Sequence, residues 1–173
     1  AFNIGGPLVG TGMSGRKTID DTYGATAFNR SGTMSGRDAT HMGRSVAYAA
    51  RQLAKDVVSR GWAERCEVQV TYGVENSTPK KIDFITKGDV PGSDLVKQYQ
   101  SLGIDLFEIL APSSIISRLQ LRLPSYLRTA AFGHFGRADV SWEKPIDRTQ
   151  VGRDHIRELA ALEQGGRLGF AAS

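Results

Sequence analysis

Between Arg44 and Arg60, apolar side chains recur at three- and four-residue intervals, which would put Val46, Ala49, Ala50, Leu53 and Val57 on one helix face. The spacing predicts a helix with one buried side, closed by Gly61 as its C-cap. The period then changes to two. Cys66, Val68, Val70, Tyr72 and Val74 alternate with polar neighbours, and Lys81 to Thr86 can return beside them across a turn containing Pro79, so a hairpin is expected. Ser93 is placed to cap a helix running to Leu102, with Asp94 in its first turn. Ile104 to Ile109 reads as a short strand, Pro112 to Leu119 as a helix with proline in its first turn, and the alternating Leu119, Leu121 and Leu123 as a further strand.

Flanking segments carry weaker patterns. Phe2 to Gly6 and Arg16 to Tyr23 read as extended, Gly24 to Gly43 as small, polar and turn-forming, and Gly133 to Arg137 as a tight turn. Thr149 to Glu163 has roughly helical order, and the Gly165 to Ser173 tail is expected to be disordered. Helices and strands do not alternate as parallel βαβ units do. The expected class is therefore α+β, with helices on one face of a mostly antiparallel sheet.

Composition narrows the function classes. With 40% apolar and 23% charged residues among 173, the chain has the make-up of a folded domain rather than a disordered one. No apolar run approaches the roughly 20 residues of a membrane span, and no signal-peptide pattern opens the sequence. The single cysteine, Cys66, cannot form an internal disulfide and reads as a small core residue, so cytoplasm is the expected location. Net charge is +4, which suits an anionic partner, but no basic stripe interleaved with aromatics is present and nucleic acid is not expected as one.

Position says more than total charge. Arg16, Lys17, Arg30, Arg37 and Arg44 lie in a glycine-rich N-terminal stretch, where guanidinium groups and backbone amides could meet phosphate oxygens. Gly10-Thr11-Gly12-Met13-Ser14-Gly15 matches a dinucleotide fingerprint by letter, but an extended segment follows where a helix is required. Gly15-Arg16-Lys17-Thr18 resembles a P-loop with one residue inserted before its lysine, which would turn that lysine away from the amide cradle. His41, His134 and His155 lack metal-ligand spacing, His134 reads as a hydrogen-bonding turn residue, and no nucleophile elbow accompanies the serines.

Several motifs occur together and in order: Gly5-Gly6-Pro7, Gly12-Met13-Ser14-Gly15-Arg16-Lys17, Asp21-Thr22-Tyr23-Gly24, Ser35-Gly36-Arg37-Asp38, Arg44-Ser45-Val46-Ala47-Tyr48-Ala49-Ala50-Arg51 and Thr129-Ala130-Ala131-Phe132-Gly133-His134-Phe135-Gly136-Arg137. From Phe2 to about Asp147 the chain resembles the C-terminal part of the S-adenosylmethionine synthetases, or methionine adenosyltransferases. The resemblance implies a chain that begins partway through a longer enzyme of three similar α/β domains. Residues 1–43 would end the central domain and carry its glycine-rich triphosphate loop, 44–164 would form the C-terminal domain, and 165–173 the tail. It also implies a transferase in which methionine sulfur attacks ATP and displaces triphosphate, with Mg2+ and K+ assisting, at sites shared between subunits.

By motif, Arg16 and Lys17 would hold the triphosphate, Arg37 would do similar work in place of a family lysine, and Phe2 and Val74 match apolar positions that contact adenine. His41 replaces another lysine of the substrate site, Gly43 a magnesium-binding aspartate and Gly10 an aspartate that contacts methionine, while Glu75 stands where glycine is usual. No metal ligand is assigned to this chain, so the cations are expected mainly on a partner. The expectation is one subunit of a split, hetero- or homo-oligomeric synthetase acting on ATP and methionine, completed by a second synthetase-type chain. The alternatives are a non-catalytic regulatory or scaffolding paralogue, and a fragment of a full-length enzyme.

Overall fold

A computed structural model describes residues 4, 6, 7, 21–24, 26, 27, 32–73, 76–88 and 90–147. Its longest element, α1, spans Met42–Ser59 and buries Arg44, Ser45, Tyr48, Ala49, Gln52, Leu53, Asp56 and Val57, a face that includes the expected Ala49, Leu53 and Val57, while Val46 and Ala50 are only half-buried. The helix starts two residues earlier than expected, and Arg60 rather than Gly61 is its C-cap. Gly61 follows at φ +72°, the left-handed conformation that turns the chain out of the helix. Its amide donates to Val58 O and that of Trp62 to Val57 O, so two terminal carbonyls are satisfied in a Schellman arrangement.

Strand β1, Arg65–Tyr72, pairs antiparallel with β2, Pro79–Lys87. The register sets Cys66 opposite Thr86, Val68 opposite Phe84 and Val70 opposite Ile82, which gathers the apolar positions on one face. A bulge between Thr71 and Tyr72 brings Tyr72 opposite Pro79 at the start of β2, a strand position where the missing proline N–H is tolerated. The other face carries the ion pairs Arg65–Glu67 and Lys81–Asp83. One face packs and one meets water, as the α+β expectation requires.

Helix α2, Gly92–Ser101, lies against β2 and buries Leu95 and Tyr99. Tyr99 stacks on Phe84 and donates from its hydroxyl to Asp56 Oδ2 at 2.8 Å, tying α2 to α1 under the hairpin. Ser93 is not its cap. Pro91 holds that position, because the chain turns at Gly92, where a Cβ would lie 2.0 Å from Phe84 O. The expected strand at 104–109 is instead a turn of helix, α3, Leu106–Ile109, because the Asp105 carboxylate accepts from Phe107 N and caps it. Helix α4, Pro112–Arg118, matches expectation, with proline at its N-terminus.

No strand forms at 119–123. Gln120 adopts φ +53°, so Leu119 and Leu121 enter the core while Leu123 stays exposed. Helix α5, Tyr126–Thr129, and a 3-10 turn at Ser141–Glu143 complete the described chain. Of the segment expected to be extended at 16–23, Asp21 to Tyr23 form a turn and the remainder lies outside the described residues. The helix expected at 149–163 and the tail at 165–173 also lie outside them. Among the described residues no helix is long and apolar enough to cross a membrane.

Candidate functional site

The chain approaching α1 is a sequence of tight local bonds. Arg37 N donates to Met34 O across Ser35 and Gly36, and Gly36 takes φ +79°, the value that the third position of a type II turn demands. Asp38 then accepts from both the amide and the hydroxyl of Thr40 through Oδ1, and His41 N donates to Asp38 O. Those hydroxyl and amide bonds hold the Asp38 carboxyl below its ordinary pKa. His41 is the N-cap residue, and its backbone oxygen receives the amides of Arg44 and Ser45. The amides of Met42 and Gly43 precede the first intrahelical bond, at the positive end of an 18-residue helix.

Arg37 and His41 are thus brought to one place. The Arg37 side chain is exposed, whereas His41 Nδ1 is buried and has no hydrogen-bond partner among the described residues. Burial lowers the His41 pKa, the Arg37 charge lowers it further, Asp38 opposes, and Arg44 adds to the lowering. A partnerless imidazole nitrogen beside a guanidinium and a helix start suits the oxygens of an anion. Phe2, Arg16, Lys17 and Val74, the other residues assigned to the site, lie outside the described residues, as do Gly10 and Glu75.

Behind this helix start is a buried polar chain. Arg44, 2% exposed, donates from Nε to Tyr48 Oη at 2.9 Å, and Tyr48 Oη meets His134 Nδ1 at 2.7 Å. His134 Nε2 is 3.2 Å from Ser35 Oγ. Since Arg44 can only donate, Tyr48 has its own proton left for Nδ1, which leaves the imidazole neutral with its hydrogen on Nε2. Burial and then the Arg44 charge lower the His134 pKa, against a smaller opposite pull from Asp21. His134 is therefore the hydrogen-bonding turn residue expected from sequence. The sequence counts Arg44 only among the cations of the N-terminal stretch, and Tyr48 and Ser35 only within motifs, because nothing in a sequence separates a buried arginine from a solvated one.

A cavity of about 670 Å³ runs from Met42 and Gly43 along the small residues Ala47, Ala50 and Ala54, between α1 and β1. Arg51 and Phe135 line its wall, and the Arg51 guanidinium is 5.7 Å from the ring centres of both Tyr23 and Phe135. Arg51 forms an ion pair with Glu143 at 2.9 Å; Lys55 and Gly136 N also donate to that carboxylate. Burial alone would raise the Glu143 pKa, but the Arg51, Gly136 and Lys55 bonds prevail and hold it low. Cys66, also on this wall, has its thiol pushed up to about 11 by burial, so it is no reactive thiolate.

Among the described residues no three His, Cys, Asp or Glu side chains converge as a metal site would require, and Gly43 contributes no side-chain oxygen. The described part of the chain therefore does not fit a Mg2+ cage, and its groups suit phosphate-like anions rather than cations.

Fold and site together define an α+β domain whose cationic groups gather where its longest helix begins. Comparison with known proteins supplies the family: the pattern for the S-adenosylmethionine synthetase C-terminal domain matches residues 4–144. The chain is also 42% identical over 158 residues to an S-adenosylmethionine synthase of Treponema denticola, covering 90% of this chain and 39% of that protein. It belongs to the S-adenosylmethionine synthetase family. The match spans about two-fifths of the length of that relative.

Proposed function

We propose that this chain contributes a triphosphate-binding wall to an oligomeric methionine adenosyltransferase that converts ATP, L-methionine and water into S-adenosylmethionine, phosphate and diphosphate. The observation that carries the reading is the Arg37 charge acting on the His41 imidazole, whose buried Nδ1 has no hydrogen-bond partner among the described residues, at the start of α1 in a chain of this family. In the proposal, Arg16, Lys17 and Arg37 donate to phosphoryl oxygens, and His41 adds a donor when protonated by the approach of an anion. Such charge-assisted bonds contribute roughly 1.5–3 kcal/mol each, and they act most where the departing triphosphate gains charge. Phe2 and Val74 pack the adenine.

Mg2+ and K+, which neutralise polyphosphate in such chemistry, are assigned to carboxylates of a second synthetase-type chain. The reading also divides the chain into 1–43, 44–164 and a tail at 165–173, and places it in the cytoplasm. Gly43 favours a second reading, a regulatory paralogue that binds its partner without chemistry, because a glycine at the helix start offers a cation no oxygen beyond the backbone.

Calorimetry with inorganic tripolyphosphate, followed by assay with a co-expressed full-length synthetase chain, separates the two. The catalytic reading expects saturable binding that weakens about 10- to 100-fold in Arg37→Ala, and product formation lost in Arg16→Ala/Lys17→Ala. No binding by the chain, together with altered partner activity, establishes the paralogue instead.

A further inference from the structure

We infer that Arg44 is a positioning residue for polyphosphate binding: it anchors the Arg37 backbone to the helix start and keeps a fixed positive charge behind the site. The inference rests on the proposed role of Arg37.

The guanidinium reaches three separate segments. One terminal nitrogen donates to Arg37 O at 2.5 Å, the other to Thr129 Oγ1 on α5 at 3.1 Å, and Nε to Tyr48 Oη on α1 at 2.9 Å. Its central carbon lies 3.8 Å from the Tyr126 ring centre. All three acceptors are neutral, and among the described residues no carboxylate pairs with it. The other cations of α1 and its C-cap differ: Arg51 and Lys55 share Glu143, and Arg60 has Asp56.

A buried cation without a counter-ion is costly to keep in a fold, and hydrogen bonds to neutral oxygens offset only part of that cost. Its field extends to the two imidazoles nearby, His41 and His134. Because the Arg37 carbonyl is drawn inward onto Arg44, the Arg37 side chain leaves from a fixed backbone point into solvent. A multiply charged anion arriving there meets one mobile guanidinium in front and one immobile guanidinium behind. Lysine could keep the charge, but it cannot bond three segments from one plane.

The test is a double-mutant cycle on the full chain, titrated with inorganic tripolyphosphate: wild type, Arg37→Ala, Arg44→Lys and the double variant. Arg44→Lys is expected to weaken binding about tenfold in the wild-type background and less than twofold when Arg37 is already alanine. Amide exchange at residues 34–38 should rise in the same variant. An affinity unchanged in Arg44→Lys, or an equal loss in both backgrounds, overturns the inference, since a merely structural role would be additive. If Arg44→Lys does not fold, Thr129→Val removes one acceptor and must show the same dependence on Arg37, at a smaller fold-change; additivity there also overturns it. A wild-type chain that binds no tripolyphosphate overturns the proposed function together with this inference, whereas normal wild-type binding with an additive cycle overturns this inference alone.

Discussion

Two imidazoles show how single residues make this fold sensitive to acid. His134 and His41 are both held below the ordinary histidine value, chiefly by burial. The unfolded chain takes up protons near pH 6.5 while the folded chain resists them, so stability is complete above about pH 6.5 and falls as pH drops below it. Urea midpoints at pH 7.5 and pH 5.5 should show that decline, and His134→Gln should flatten it. Gly92 makes a different kind of demand. Its missing side chain lets α2 begin directly beneath β2, and Gly92→Ala should cost about 2 kcal/mol through a clash with Phe84 O, measurable by urea unfolding at constant m-value. At this scale little of the site was legible beforehand. The motifs propose Arg37 and His41, whereas Arg44 in sequence is one more cation at a helix start, and only packing against Tyr126 and Thr129 turns it into a buried one.

At the scale of elements, long periodic patterns read correctly and short ones did not. Helix α1 and the β1–β2 hairpin each carry four or more apolar positions in register, enough for period to decide type. Ile104 to Ile109 is too short for that, and the deciding group is Asp105, whose carboxylate converts an apolar run into a capped helical turn. Asp105→Ala should lower stability by about 1 kcal/mol and Asp105→Asn by much less, read as a shift in thermal midpoint. The alternation of Leu119, Leu121 and Leu123 misleads for another reason: a left-handed residue at Gln120 breaks the strand geometry that alternation presupposes. Local periodicity assumes ordinary dihedrals throughout, and one exceptional residue is enough to separate pattern from structure.

Across the whole molecule, contacts distant in sequence join the C-terminal end of the described chain to α1. Glu143 gathers Arg51 and Lys55 from α1 with Gly136 N, and Asp56 accepts from Ile146 N as well as from Tyr99. Glu143→Ala should therefore destabilise the entire domain by about 3 kcal/mol, seen as an earlier cooperative transition, because two cations lose the carboxylate they share. The pairings to α1 from the far end could not be read from local sequence, since they span 92 positions from Arg51 to Glu143, 88 from Lys55 to Glu143 and 90 from Asp56 to Ile146. The same long-range packing stacks Trp142 on Tyr48 at 3.8 Å and bonds its Nε1 to His134 O, while Trp62, the other of the chain's two tryptophans, sits edge-on to Tyr99 at the far end of α1. The domain thus carries two indole fluorophores, one towards each end of its main helix. Replacing Trp62 with phenylalanine would leave a tryptophan emission, excited selectively over the five tyrosines, that reports only on the His134 end, so light alone could tell which end loosens first.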